Sequence, residues 1–177
     1  AGRALELLGR ALALAAGAGD TLSGVYLRIN LSAAALTAGK PEAALAHARE
    51  GLGVALPMRH GYLIAGLSVN AAEACLALGE VGEAERHARL AGAQEETHAQ
   101  PYALTVLGRA LLARGDRAGA EASLREGAAL AEASQDRFAQ AHALHWLARA
   151  GAGDAAAAET RTQALFAELG VQAPEGG

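Results

Sequence analysis

The stretch LGRALLARGDRAGAEASL, residues 107–124, ends one helical pattern and begins a second within three residues. Alanine, leucine and arginine on both sides favour helix, and the break between them falls at Gly115 and Asp116. Glycine just past a helix end adopts the left-handed conformation that other residues resist, and aspartate caps the first turn of the next helix. The stretch therefore predicts an antiparallel hairpin of two helices.

The same turn recurs along the chain, which gives four turns, at Gly39-Lys40, Gly79-Glu80, Gly115-Asp116 and Gly153-Asp154. Successive turns are 40, 36 and 38 residues apart. An alanine follows each of these glycines by five residues, at Ala44, Ala84, Ala120 and Ala158. A small residue precedes the first three glycines by seven, at Ser32, Ala72 and Gly108. Small residues at facing positions let two helices approach closely. Because one hairpin leaves an apolar face uncovered, we expect neighbouring hairpins to stack.

Composition supports an all-α fold. The chain has 177 residues, of which 52% are hydrophobic but only 3% aromatic, and much of the hydrophobic share is alanine. We predict an α-α superhelix, a solenoid of antiparallel hairpins, as one array over residues 1–170. The array would comprise a half repeat at 1–17 and repeats near 21–57, 60–94, 99–134 and 136–170, followed by a tail or linker at 171–177. The predicted helices are 1–17, 21–38, 41–56, 60–78, 81–94, 99–114, 117–134, 136–151 and 155–170.

The pattern in the third unit, from Leu107-Gly108 through Leu111, Gly115-Asp116 and Ala120 to Leu124, resembles the tetratricopeptide repeat (TPR). The first two units match at the corresponding positions, which are Leu31-Ser32, Ala35, Gly39, Ala44 and Ala48, and Ala71-Ala72, Cys75, Gly79, Ala84, Ala88 and Ala91. The period is longer than the usual 34 residues, and alanine and leucine largely replace the family's bulky aromatic residues. The fourth unit is degenerate.

Residues 1–17 resemble the second helix of a repeat whose first helix is missing, so we expect the chain to be a piece of a longer protein. Such an end would expose the apolar side chains of Leu5, Leu8 and Leu12. Truncated solenoids are left with an uncapped apolar end. We therefore predict self-association through the amino-terminal end.

Charge and composition exclude several classes of function. The net charge is −4, with both signs spread along the chain, and this gives no basic stripe for direct contact with nucleic acid. No apolar run is long enough for a membrane span, and no signal peptide is visible, so we expect a cytoplasmic location. The single cysteine, Cys75, excludes an internal disulfide and any site with several cysteine ligands.

Side chains capable of chemistry form no catalytic or cofactor site. Of six histidines, only His142 and His145 share a helix face, and no third ligand stands beside them, so no metal site is predicted. Cys75 occupies a core position, which favours an inert buried thiol over a nucleophile. The acidic pairs Glu83/Glu85 and Glu95-Glu96 are interpreted as solvated charge. Trp146 either seals the last repeat or marks a surface that faces a partner.

The first helices of the hairpins would line the concave groove of the array. Their solvent-facing positions are Tyr26, Ile29, Asn30, Ala33, Leu36, Val69, Asn70, Glu73, Leu76, Tyr102, Thr105, Arg109 and Leu112. We take Tyr26, Asn30, Asn70, Glu73, Tyr102 and Arg109 as candidate binding residues. Tyrosines, amides and a charge pair could bind a peptide or a polyhydroxylated ligand. Alternatively, Glu73 pairs with Arg109, and the two asparagines, which are register equivalents, brace adjacent helices.

The resemblance implies an interaction module, not an enzyme. Alanine-, leucine- and arginine-rich repeats, with stretches such as EASQDR (132–137) and ALFAELGV (164–171), resemble the C-terminal arrays of large bacterial transcriptional activators of the maltose-activator and antibiotic-regulator types. In those proteins the array senses an effector or partner. The alternative is a stand-alone adaptor. The carboxylate clamp of chaperone-binding family members is not expected, because only Asn70 fits it, while Ile29, Tyr102 and Val106 occupy its other positions.

Overall fold

The computed structural model describes residues 2–94, 98–151, 153 and 155–171, and within them all regular structure is helical. The helices are α1 Gly2–Gly17, α2 Thr21–Thr37, α3 Pro41–Ala55, α4 Gly61–Ala77, α5 Val81–Gly92, α6 Gln100–Ala113, α7 Arg117–Ala133, α8 Arg137–Ala150 and α9 Ala155–Leu169. Each helix begins and ends within two residues of its predicted bounds. We call α2, α4, α6 and α8 the A helices, and α3, α5, α7 and α9 the B helices that follow them.

The turns from A to B helices have the predicted chemistry. Gly39, Gly79 and Gly115 have φ angles of 67°, 76° and 85°. At the third turn, Gly115 N donates to Leu112 O at 2.9 Å and Asp116 N donates to Leu111 O at 2.9 Å, which satisfies the last carbonyls of α6. The Asp116 side chain then accepts from Gly119 N at 2.9 Å and caps α7. Pro41 is the first residue of α3, where a missing N–H costs nothing.

The fourth turn differs from the prediction. The left-handed residue directly after α8 is Gly151, with a φ of 72°. Gly151 lies 36 residues after Gly115, the same spacing as between Gly79 and Gly115. On the other side of the turn, α9 begins two residues after Gly153, as α7 begins two residues after Gly115, and Ala158 is buried as Ala120 is. The predicted cap at Asp154 lies outside the described residues.

The turns that precede the A helices contain signals that the sequence prediction missed. Asp20 caps α2 by accepting from Ser23 N at 3.0 Å, and Asp136 caps α8 by accepting from Ala139 N at 3.0 Å. The residue before each cap is left-handed: Gly19 has a φ of 69° and Gln135 a φ of 59°. These caps explain why the polar stretches at these positions separate helices.

The contacts between Cα atoms divide the chain into two compact units, Ala1–Glu96 and Thr97–Gly177. In the first unit, α2/α3 and α4/α5 are hairpins, α3 also packs on α4, and the A helices α2 and α4 lie side by side. The second unit repeats this plan with α6/α7 and α8/α9, α7 packed on α8, and α6 beside α8. The single array over residues 1–170 stays a prediction. None of the helices in the described ranges has the length and apolar character needed to cross a membrane.

Small residues allow the close packing inside each hairpin. A Cβ on Gly108 of α6 would lie 2.5 Å from Leu124 Cγ and 3.2 Å from Ala120 O, so α6 and α7 nearly touch at this point. Ala120 and Leu124 are both fully buried. In the first unit the core is a cluster that includes Val25, Leu52, Leu63, Ile64 and Leu67.

Helix α1 packs on α2 but has no buried residue. The prediction that α1 exposes Leu5, Leu8 and Leu12 at the amino-terminal end is wrong, because all three side chains are half-buried. The exposed leucines are Leu7, at 53%, and Leu14, at 75%. The register explains the difference: residues 5, 8 and 12 share one helix face, and Leu12 Cδ1 lies 3.9 Å from the position of a Cβ on Gly24 of α2.

Candidate binding surfaces on the A helices

Two tyrosines project from the side-by-side A helices of the first unit. Tyr26 of α2 is 40% exposed and Tyr62 of α4 is 48% exposed, and their ring centroids are 6.0 Å apart at an interplanar angle of 43°. Leu22 and Asn30 lie one turn before and one turn after Tyr26 on α2, and both are exposed. We call Leu22, Tyr26, Asn30 and Tyr62 the tyrosine surface. It combines apolar ring faces with two hydroxyls and one amide.

Tyr62 was not among the predicted site residues. The prediction placed the α4 contribution at Val69 and beyond, whereas Tyr62 lies in the first turn of α4. Its register equivalent on α2 is Leu22, 40 residues earlier, which is also exposed. Extending the predicted face one turn towards the start of α2 and two turns towards the start of α4 would have found both residues.

Asn70 is used inside the first unit. Its side-chain amide donates to Ile29 O at 3.1 Å and to Ser32 Oγ at 2.7 Å, and it thereby ties α4 to α2. Ser32 Oγ donates in turn to Ile29 O at 2.8 Å. This geometry matches the alternative interpretation, in which the amide braces adjacent helices. Asn30, its register equivalent, is exposed on α2.

Tyr102 is also engaged within the protein. Its hydroxyl donates to Asp136 Oδ2 at 2.8 Å, and the other oxygen of the same carboxylate caps α8. Burial and the adjacent carboxylate raise the pKa of the Tyr102 phenol above its ordinary value. The hydroxyl therefore fixes the start of α8 beside α6. Thr105, predicted to face solvent, is buried and donates to Pro101 O at 2.8 Å.

Arg109 and Trp146 form the main polar–aromatic contact of the second unit. The Arg109 guanidinium carbon lies 4.8 Å from the centre of the Trp146 ring, and that of Arg149 lies 5.5 Å from it. Trp146 is half-buried and packs against the cluster that contains Leu124 and Leu147. This position agrees with the interpretation that Trp146 seals the last repeat. Glu73 is half-buried on α4, and its pairing with Arg109 stays a prediction.

The two histidines of α8 take part in aromatic packing. The His142 ring lies 4.4 Å from that of Phe138 and 5.7 Å from that of Phe166, measured between centroids. His145 is buried, stacks edge-on against Trp146 and contacts the guanidinium of Arg149. Burial, followed by the charges of Arg109 and His145, lowers the pKa of His142 to about 4.

Cys75 has the environment of a structural thiol. It is fully buried in α4, and its Sγ lies 3.8 Å from Glu80 Oε2. Burial and the carboxylate of Glu80 raise the pKa of the thiol to about 11. Because the thiolate is the reactive form, this environment suppresses nucleophilic chemistry near neutral pH.

Comparison with protein families supports the repeat interpretation. The tetratricopeptide repeat model matches residues 25–50, 65–89 and 101–126. These segments cover most of the α2/α3, α4/α5 and α6/α7 hairpins, so the predicted tetratricopeptide repeats are confirmed there. No curated protein is a significant sequence match to this chain.

Two solved structures have a similar fold. Both contain nearly identical TPR-like repeats of a kinesin-light-chain-like protein from Podospora anserina. One of them, a variant of that protein with a single substitution, superposes with a TM-score of 0.67 at 21% identity over 95% of this chain and 87% of that chain. The other gives a TM-score of 0.66 at 20% identity over 94% of this chain and 87% of that chain. The predicted fold class, an all-α superhelix of TPR-like hairpins, is confirmed.

Proposed function

We propose that this protein is an interaction module that holds a segment of another protein on the tyrosine surface. The observation that carries the proposal is the pair of exposed rings, Tyr26 and Tyr62, 6.0 Å apart on neighbouring A helices. Tyrosine provides a large, rigid apolar face and a polar tip, and it is enriched in protein interfaces for that reason. Tetratricopeptide repeats, which are present in this chain, support a role in protein–protein interaction.

The chemistry of the surface indicates what the segment should contain. Leu22 and the two rings offer apolar contact, and the exposed Asn30 amide can both donate to and accept from a peptide group. None of the four side chains is charged. We therefore expect an extended segment with apolar side chains, held through one or two backbone hydrogen bonds to Asn30. Asn70 and Tyr102 would act as framework residues, since their polar groups are already bonded to neighbouring helices.

A peptide library displayed on phage and selected against the full chain tests this proposal. We expect selected peptides to bind the Tyr26→Ala/Tyr62→Ala variant at least about tenfold more weakly by calorimetry, because loss of two aromatic contacts removes on the order of 2 kcal/mol. Leu56→Ala is a matched control, since Leu56 is 45% exposed but lies at the end of α3. Equal affinity for the double variant and the wild type would reject the tyrosine surface as the binding site.

We further propose that the module belongs to a larger bacterial transcriptional regulator in the cytoplasm, where it senses a protein segment or a small effector. The support is the long period of the repeats and their alanine-, leucine- and arginine-rich composition. The stand-alone adaptor is the competing function. A helix-turn-helix or nucleotide-switch domain encoded in the same gene would favour the regulator. A gene without either domain would favour the adaptor. Self-association through the amino-terminal end is an untested prediction that competes with the docking of a single helix at the same end.

A further inference from the structure

The open face of α1 is the strongest unassigned feature of the first unit. Ala4, Leu7, Ala11 and Leu14 follow a spacing of three and four residues, which places them on one face of the helix. Leu7 is 53% exposed and Leu14 is 75% exposed, whereas the neighbouring face of α1 packs on α2. An isolated exposed leucine needs no explanation, but an aligned pair on one helix face does.

The turns fix the register of α1 against the B helices. The left-handed residue after α1 is Gly19, after α3 it is Arg59 and after α7 it is Gln135. Residues of α1 therefore correspond to residues 40 positions later in α3 and 116 positions later in α7. By this register Ala4 corresponds to Ala44 and Ala120, and both of these alanines are fully buried.

The corresponding positions show what normally covers this face. In the α6/α7 hairpin, a Cβ on Gly108 would come within 3.2 Å of Ala120 O and 2.5 Å of Leu124 Cγ. A Cβ on Gly127 would come within 3.2 Å of Leu104 Cβ. Ala120, Leu124 and Gly127 of α7 thus all face α6. Their counterparts in α1 are Ala4 and Ala11, which belong to the open face, and Leu8, which is half-buried at its border.

We propose that the open face of α1 is the docking site for a single antiparallel helix with the pattern of an A helix. Such a helix is amphipathic, presents uncharged side chains to α1, and has glycine, alanine or serine where it crosses Ala4. Ser32 and Gly108 fill that position in α2 and α6. The interface would repeat the one already formed by α2 with α3.

A second copy of the chain is a poorer fit. In the described part of each unit, every A helix is already paired with the B helix that follows it. The A helices of a second copy are therefore not available to α1. A second copy could offer only a face like that of a B helix, which lacks the small residue that an A helix has where it crosses Ala4. The docking proposal is independent of the tyrosine surface, which lies on α2 and α4.

A synthetic peptide of residues 21–40, added to the full chain, is the direct probe. We expect the peptide to bind and to slow amide hydrogen exchange in α1, because burial of Leu7 and Leu14 opposes local opening. A peptide carrying Ser32→Arg should not bind, and the chain variant Leu7→Glu/Leu14→Glu should lose binding of the unmodified peptide. The chain variant Leu56→Glu/Met58→Glu is the matched control, because it places the same two negative charges at exposed apolar residues outside the open face.

A covalent version removes the entropic disadvantage of a short peptide. In a fusion protein, a second copy of residues 21–40 is placed directly before Ala1. The copied helix then precedes α1 by the same number of residues as α2 precedes α3, because α1 and α3 differ by 40 residues in register. We expect exchange of α1 amides to slow by at least about tenfold, and the Ser32→Arg copy to leave exchange unchanged. Equal exchange with both copies, together with no peptide binding, would overturn the proposal. A dimer that depends on Leu7 and Leu14 and is unaffected by the peptide would also overturn it, in favour of a second copy.

Discussion

Gly108 shows how strongly single positions control the packing of these hairpins. A methyl group there would lie 2.5 Å from Leu124 Cγ and 2.8 Å from Leu124 Cδ2, and Leu124 is fully buried. We expect Gly108→Ala to lower the free energy of unfolding by about 1–3 kcal/mol through overpacking. Urea denaturation followed by circular dichroism measures the change.

Gly53→Ala is the matched control for this prediction. Gly53 lies inside α3, and nothing is within 4 Å of the position of an added Cβ. The substitution should raise the free energy of unfolding by roughly 0.5–1 kcal/mol, because alanine is the better helix former. A Gly108→Ala variant as stable as the wild type would show that α6 and α7 are further apart than described.

Gln135 occupies a backbone conformation that suits glycine. Its φ is 59°, and Gln135 N donates to Glu132 O at 3.1 Å, as the glycine turns do at the equivalent position. We expect Gln135→Gly to stabilise the protein by about 0.5–1 kcal/mol, since the left-handed strain exceeds the entropic cost of glycine. Thermal denaturation checks the sign. A lower melting temperature for this variant would mean that the turn does not adopt the left-handed conformation.

At the scale of helices, Asp136 joins two structural roles that can be separated by mutation. It caps α8 and accepts the hydroxyl of Tyr102, whereas Asp20 only caps α2. We expect Asp20→Ala to cost about 1 kcal/mol and Asp136→Ala about 2 kcal/mol, because the second variant also leaves Tyr102 without its acceptor.

Tyr102→Phe tests the hydrogen-bond part alone and should cost about 1 kcal/mol in denaturant unfolding. The cost of Asp136→Ala should then approximate the sum of a cap and this bond. If Tyr102→Phe is neutral while Asp136→Ala costs no more than Asp20→Ala, the link between α6 and α8 does not contribute to stability.

His142 should make the stability of α8 depend on pH. Its pKa is lowered from 6.5 to about 4 by burial, then by the positive charge of Arg109 and by the neighbouring His145, so the folded protein holds the ring neutral. The unfolded chain binds a proton below about pH 6.5, and stability is therefore lost as pH falls from about 6.5 towards 4. Because the ring is half-buried and solvent screens part of the penalty, we expect about 1–2 kcal/mol.

Proton NMR titration of His142 and urea denaturation at several pH values measure this effect. The His142→Gln variant should have a flatter dependence of stability on pH over the same range. A titration midpoint of His142 near 6.5 would contradict the described packing between Phe138 and Phe166.

The helices could be predicted well from the sequence because their boundaries depend on local chemistry. Glycine after a helix and a small residue at a fixed distance are signals that act within one hairpin, and they predicted the turns at Gly39, Gly79 and Gly115. The fourth turn was predicted only in part, because its two sides follow different glycines: α8 ends directly before Gly151, whereas α9 begins two residues after Gly153. Asp136 was missed as a cap because a B-to-A turn lacks the repeated glycine.

The candidate site was less predictable because it depends on which polar groups the protein already uses. Register alone placed Asn30 and Asn70 as equivalents, but only the packing of α2 on α4 decides that the amide of Asn70 bonds to Ile29 and Ser32. The same holds for Tyr102, whose acceptor is 34 residues away in sequence. Periodicity identifies faces, whereas tertiary hydrogen bonds decide which members of a face remain available.

At the scale of the whole molecule, a common repeat supports surfaces of different character. The A helices of the first unit present exposed tyrosines, while those of the second unit hold Trp146 and the α8 histidines in packed contacts. The Podospora anserina repeats have a similar fold, although only 21% of the residues are identical. Any binding specificity of this chain therefore lies in the side chains on its own surfaces. The tyrosine surface and the open face of α1 are the two surfaces that we propose for partners.

Amide hydrogen exchange of the full chain, with and without a library-selected peptide, is the most direct test of the central claim that the A helices of the first unit bind a protein segment. We predict that the peptide slows exchange in α2 around Tyr26 and Asn30 and in the first turns of α4 around Tyr62, and leaves α3 and α5 unchanged. Protection confined to α3 and α5, with α2 and α4 unaffected, would contradict the claim.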